Sequence, residues 1–320
     1  MISWSPSRTR ILALACGFSA LLAMLLSACG ATTAIGGGGK PTPSSATPTV
    51  VPVTCPAASV VATWHLVNAG QLTIASDTTY APAEFPDAKD PSKFIGYDMD
   101  LAREFARRLC LNPNIQKATF GNIIPDISGA PLGQQRYDMS ISSFTINTDR
   151  LKKVDMIPYF TAGESILTLT ANPANIKSIN DMCGKIIAVQ NGTVEQQEVQ
   201  DANGGNNNSG QAPVCKTANK LITIVSNDDQ GVVVDQVLNS RADASYQDQP
   251  VTDYYASLHP GKLIDAGITV QPSPEGIVMR KDNAALESAI TSALQAMRTD
   301  GTYLTILKAW GQQSLAYPPL

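Results

Sequence analysis

Short apolar runs alternate with helix-period segments along most of this 320-residue chain, and that alternation narrows its possible folds more than any other feature. LTIAS at 72–76 precedes the amphipathic MDLAREFARRL at 99–109, which precedes YDMSISS at 137–143. A strand, a helix crossing back over it and a second strand beside the first make a βαβ unit, and repeated units build a mainly parallel sheet. A second set begins near Ser165 with ILTLTA and KIIAVQ, continues through a helix after Gly192, LITIVS and the helical GVVVDQVLNS, and ends in the strand-like ASYQD. The last stretch, ALESAITSALQAMRTDGTYLTILKAWG, is helical in period with one break at Asp300-Gly301. The pattern predicts two similar α/β lobes.

The N-terminus carries a different signal. Arg8 and Arg10 precede an apolar stretch from Ile11 to Leu26, and Leu26-Ser27-Ala28-Cys29 is a lipobox. These features predict a lipoprotein signal peptide over 1–29, with Cys29 as the lipidated residue. About 16 residues is short for a bilayer-spanning helix, which argues against a transmembrane anchor. Residues 30–54 contain no acid and little that is apolar beyond alanine and valine, so they read as a disordered tether. Their four glycines lack the preceding strand and the Lys-Ser/Thr pair of a phosphate loop.

Loss of the signal peptide removes two arginines and no acid, taking the formal charge from −4 to −6. A mildly acidic surface without Lys/Arg runs argues against nucleic acid or an anionic membrane as a partner. Cys55, Cys110, Cys183 and Cys215 remain after Cys29, and an even number in an exported chain favours disulfides. Three pairings are open. With no CxxC and only His65 and His259 as imidazoles, no metal site is expected, and nothing points to a cofactor.

Residues 137–150, YDMSISSFTINTDR, place Ser143, Thr145 and Arg150 at a spacing suited to an amino acid backbone. A carboxylate taken out of water needs a guanidinium fork plus a hydroxyl or N–H for its remaining lone pairs. This segment resembles the polar amino-acid-binding group, family 3, of the solute-binding proteins that serve ABC importers. Seven further stretches follow in family order, among them LTIASDTTYAPAEF, FIGYDMDLAREFARRL, FGNIIP, KIIAVQNGT and RADASYQD, and the likeness covers nearly all of 71–315.

The resemblance implies a type II periplasmic-binding-protein (flytrap) fold: α/β, two lobes each with a mainly parallel sheet, joined by two hinge strands. Lobe 1 is expected over 55–159 and 277–320, the hinge at 160–164 and 272–276, and lobe 2 over 165–271. This division pairs Cys55 with Cys110 and Cys183 with Cys215. Arg150, helped by Thr145 and the Thr193 N–H, is expected to hold the ligand α-carboxylate, and Asp248 the α-ammonium. The Ser143 carbonyl adds to these grips, Tyr80 and Phe120 form apolar walls, and Asp77 lies near the side-chain end. Ala83, Asn147 and a polar insertion at 201–215, read as a surface loop, depart from the family pattern.

The expected function is that of a monomeric, lipid-anchored protein on the extracytoplasmic face of the cell membrane. It would capture a polar L-amino acid and deliver it to an ABC permease and its ATPase. It is not expected to be an enzyme, although the family's fold includes a cyclohexadienyl dehydratase, whose general acid could correspond to Glu164 or Glu195. A sensory domain is the other alternative, but such sensors continue into a membrane helix, and nothing after Leu286 is apolar for long enough.

Overall fold

The computed structural model describes residues 51–268 and 272–318. The expected signal peptide with Cys29, and the expected tether up to residue 50, lie outside the described residues. From Val51 to Gly70 the chain straps across lobe 1, with a single helical turn α1 (Ala58–Val61) and a buried Trp64. Its hydrogen bonds are long-range: Asn283 Nδ2 donates to the Trp64 carbonyl (2.7 Å), and Gln135 Nε2 to that of His65 (2.7 Å).

Lobe 1 is then built from β1 (Gln71–Ser76), the small pair β2 (Phe85–Pro86) and β3 (Phe94–Ile95), and α2 (Tyr97–Arg108). After these come β4 (Asn112–Lys117), α3 (Phe120–Ser128), β5 (Met139–Ser140), α4 (Thr148–Leu151) and β6 (Asp155–Ala162). Gly163 separates β6 from β7 (Glu164–Leu169), the first strand of the second sheet. Lobe 2 adds β8 (Ile186–Gln190), α5 (Val194–Ala202), α6 (Val214–Thr217), β9 (Thr223–Asn227), α7 (Gln230–Leu238), β10 (Ala244–Asp248), α8 (Gln249–Leu258) and β11 (Leu263–Ile268). The chain returns through β12 (Ser273–Met279) and finishes lobe 1 with α9 (Ala284–Thr299) and α10 (Thr302–Ala309).

The two sheets follow one plan. Lobe 1 has the order β4-β1-β5-β12-β6 and lobe 2 the order β9-β8-β10-β7-β11. In each, the first three strands pair in parallel and the fourth is antiparallel to both neighbours. Four of the five strands therefore run one way, and both lobes are mixed α/β with mostly parallel strands. Each sheet is covered on both faces. In lobe 1, Leu101 and Phe105 of α2 join Leu294 and Met297 of α9 in one core, while Phe120, Ile123 and Ile127 of α3 fill another. Complete burial of such side chains contributes about 1.5–3 kcal/mol each.

Local chemistry sets the ends of these elements. Gly96 opens α2 with φ 133°, and a Cβ there would fall 1.9 Å from the Ala83 carbonyl oxygen, so only glycine fits. Arg107 and Arg108 close the helix, and both pair with Glu104 at 2.7 Å. The predicted strand YDMSISS pairs only through Met139 and Ser140. Edge strand β4, NPNIQK, has no apolar alternation and owes its place to parallel pairing with β1.

Disulfides join Cys55 to Cys110 and Cys183 to Cys215. The first ties the strap to the turn after α2; the second closes a 32-residue separation, with Cys215 inside the lobe 2 core. Closing a loop of that length restricts the unfolded chain. Replacing Cys183 and Cys215 by serine is expected to lower stability by about 2–4 kcal/mol, read from urea unfolding.

Candidate ligand-binding site

Arg150 is positioned by the short turn that precedes it. The Asn147 side chain caps α4 by accepting from the Arg150 backbone N–H (2.9 Å), so this departure from the family pattern has a defined role. The guanidinium donates through Nη1 to the Thr145 carbonyl (2.7 Å) and lies 5.4 Å and 5.0 Å from the ring centroids of Phe120 and Phe144. Those rings stack at 4.2 Å. The neighbouring acids are engaged elsewhere, Asp149 with Lys152 and Asp155 with Lys281. Burial pulls the Arg150 pKa down to about 10, opposed by nearby Glu195 and Asp248, so the group stays charged at neutral pH.

Asp248 approaches from the other lobe, at the junction of β10 and α8. Its Oδ2 accepts from the Tyr80 hydroxyl (2.9 Å), and its backbone N–H donates to the Tyr80 hydroxyl oxygen (3.1 Å). Tyr80, expected as an apolar wall, thus contributes a polar bond across the cleft. Burial pushes the Asp248 pKa up to about 7.

Tyr80, Phe120, Ser143, Thr145, Arg150, Thr193 and Asp248 line one narrow pocket of about 10 Å³. Ser143 holds φ 47° and donates its N–H to Asp98 Oδ2 (3.1 Å), while Thr193 caps α5 by accepting from Gln196 N (3.2 Å). Asp77 is not in that lining. Its oxygens accept from Thr79 Oγ1 (2.9 Å) and from the Gln190 amide, the latter reaching over from lobe 2. Gln190, Val194 and Glu195 complete the wall and were not singled out as ligand contacts by sequence. The available signal was their adjacency to Asn191-Gly192-Thr193.

Two further features shape the cleft. Gly192 has φ 82°, and a Cβ there would fall 2.8 Å from the Gly121 Cα, so the backbones of the two lobes meet at this point. An outer groove shares Phe120, Arg150, Thr193 and Val194 with the pocket and is also lined by Asn208 and Ser209. The polar insertion is therefore more than a surface loop. Asp201 folds it back, accepting from Asn207 N (2.9 Å), Ser209 N (2.9 Å) and Ser209 Oγ (2.7 Å).

Buried carboxyls outnumber buried cations around the cleft. Glu84, Asp98, Glu164, Glu195 and Glu275 are all buried. The Tyr246 hydroxyl contacts both Glu164 and Glu198. One hydroxyl proton serves only one of these bonds, so the other requires a carboxyl proton. Burial, with Glu164 nearby, pushes Glu198 up to about 9, in keeping with that requirement. Among the described residues no group of three or more His, Cys, Asp or Glu side chains is arranged to hold a metal, and no helix is long and apolar enough to cross a membrane.

The family model for bacterial extracellular solute-binding proteins, family 3, matches residues 72–313. The chain belongs to that family. It is 28% identical over 240 residues to ABC transporter arginine-binding protein 1 of Escherichia coli (strain K12), covering 73% of this chain and 88% of that protein. An ancestral arginine-binding protein bound to arginine superposes with a TM-score of 0.66 at 30% identity, over 76% of this chain and 98% of that one. An ancestral amino acid-binding protein described as a precursor of cyclohexadienyl dehydratase superposes with a TM-score of 0.64 at 29% identity, over 75% and 95%.

The buried acids set the pH response of the fold. Asp77, Asp98 and Asp248 are each raised from 3.8 to about 7, chiefly by burial. Between about pH 4 and 7 the folded state therefore binds more protons than the unfolded chain, and stability falls as pH rises through that window. Glu104, Asp201 and Asp300, lowered by their partners, reduce stability only under more acidic conditions. The unfolding temperature without ligand is expected to be higher at pH 5.5 than at pH 8, as scanning calorimetry would show; the reverse order would contradict burial of these groups.

Proposed function

We propose that this protein is a lipid-anchored extracytoplasmic receptor that closes on an L-amino acid and passes it to an ABC importer. The reading is carried by Arg150 and Asp248, which have opposite charge, come from opposite lobes and stand on the walls of one pocket. An α-carboxylate on Arg150 and an α-ammonium on Asp248 would bridge the two sheets, so the ligand stabilises the closed arrangement selectively. Thr145 and the N-terminal turn of α5 at Thr193 supply the additional polar contacts. The arginine-binding protein of Escherichia coli and the arginine-bound ancestral protein favour a basic amino acid. Lipidation at Cys29 is read from the lipobox alone.

A second reading has one observation in its favour. Glu195 stands in the pocket wall, buried, with its pKa pushed well above the carboxylate range first by burial and then by Asp248. A protonated carboxyl there has the character of a general acid, as a dehydratase would need.

A thermal-shift screen against the twenty amino acids tests the first reading, with a stabilisation of several degrees by one or a few expected. Arg150→Met is expected to weaken binding of the ligand so found by about 2–5 kcal/mol, measured by titration calorimetry. Unchanged affinity in that variant would remove Arg150 from the site. Product formation from prephenate or arogenate, followed by chromatography, would favour the enzyme.

A further inference from the structure

An amino acid zwitterion would satisfy Arg150 and Asp248 and leave a second carboxyl in the same pocket unanswered. That carboxyl belongs to Glu195. It is the second residue of α5, 2% exposed, and its Oε1 is fully buried without a hydrogen-bond partner. Arg150 is the one cation among the residues lining the pocket, so a single guanidinium faces two carboxyls. A buried carboxyl in that position either retains a proton or meets a cation.

Asp77 is less well placed for this part in the observed arrangement. Its oxygens already accept from Thr79 Oγ1 and the Gln190 amide, and it stands outside the pocket lining. The other acids of α5 and β7 are also committed, since Glu164 and Glu198 share the Tyr246 hydroxyl and Asp201 accepts from Asn207 and Ser209. Among the described acidic residues, Glu195 alone combines burial, an unpartnered oxygen and a place in the pocket lining.

We propose that Glu195, rather than Asp77, selects the ligand side chain, by pairing with a cationic group such as a guanidinium or ammonium. The inference rests on the reading of the cleft as an amino-acid site. With a monocationic amino acid bound, ligand and pocket charges cancel: carboxylate on Arg150, ammonium on Asp248, side-chain cation on Glu195. A ligand with a neutral side chain leaves Glu195 either uncompensated or protonated. In the proton-holding form Glu195 also shifts its pKa upward, as burial and Asp248 require, and a bound cation reverses that shift.

The test is titration calorimetry of the protein with L-arginine and L-citrulline, which match in shape and differ in charge. The wild type is expected to bind arginine roughly a hundredfold or more tightly than citrulline. Glu195→Gln is expected to reduce that preference to about tenfold or less, mainly by weakening arginine. Equal affinity of the wild type for the two ligands overturns the proposal without reference to any variant. So does an Asp77→Asn variant that loses the preference while Glu195→Gln keeps it. In both cases the amino-acid reading stands. Failure of the wild type to bind any L-amino acid overturns that reading itself and this inference with it.

Discussion

A guanidinium removed from water must find donors' partners and counter-charge at close range, and the burial of Arg150 is the constraint on which the cleft depends. Its guanidinium lies beside two rings stacked on each other, one from α3 and one from the segment before α4. Asn147 and the Thr145 carbonyl hold the backbone and one arm of the fork in register. Nη2 points toward the Gly192 carbonyl of the other lobe at 3.4 Å, a long contact that a carboxylate with two lone pairs would better answer. The surrounding acids raise the cost of leaving any of this incomplete. Asp248 and Glu195 are the first charges to oppose the effect of burial on Arg150, so ligand, arginine and acids form one electrostatic unit.

The lobes themselves are held together by fewer contacts than either holds internally. Tyr80 reaches Asp248, Gln190 reaches Asp77, and Thr79 Oγ1 accepts from Gln230 N at 3.2 Å. Phe85 of lobe 1 adds an aromatic contact with Tyr254 at 5.6 Å. Polar bonds of this kind contribute about 0.5–1.5 kcal/mol each, because water replaces them when they separate. That scale is in keeping with the proposed closure of the cleft on a small molecule.

Much of the architecture was legible because the sequence repeats its signals at two levels. The alternation of LTIAS, MDLAREFARRL and YDMSISS specified a strand-helix-strand unit, and α9 and α10 separate at Asp300-Gly301 where the helical period breaks. Edge strand β4 escaped because its residues are polar and its partner supplies the order. In the pocket, Arg150 and Asp248 could be placed through motifs with fixed spacing. Glu195 is harder to read, since an acid in the first helical turn is usually a solvated partner of the helix dipole. In the folded protein that turn lines the pocket and Glu195 is buried. The hydroxyl of Tyr80 was similarly hidden, because an aromatic in sequence gives no sign of whether its tip or its face meets the cleft.

The strap from Val51 to Gly70 has a mechanical meaning. Cys55–Cys110, the Arg107 contact to the Val51 carbonyl at 3.0 Å, and the Trp64 and His65 bonds all fasten it to lobe 1. Force arriving along the chain from its N-terminal side is therefore spread through the lobe 1 core before it reaches the strands that connect to lobe 2. Lobe 1 is thereby the lobe that carries such a pull. The load falls on a covalent staple instead of on the contacts that hold the cleft together.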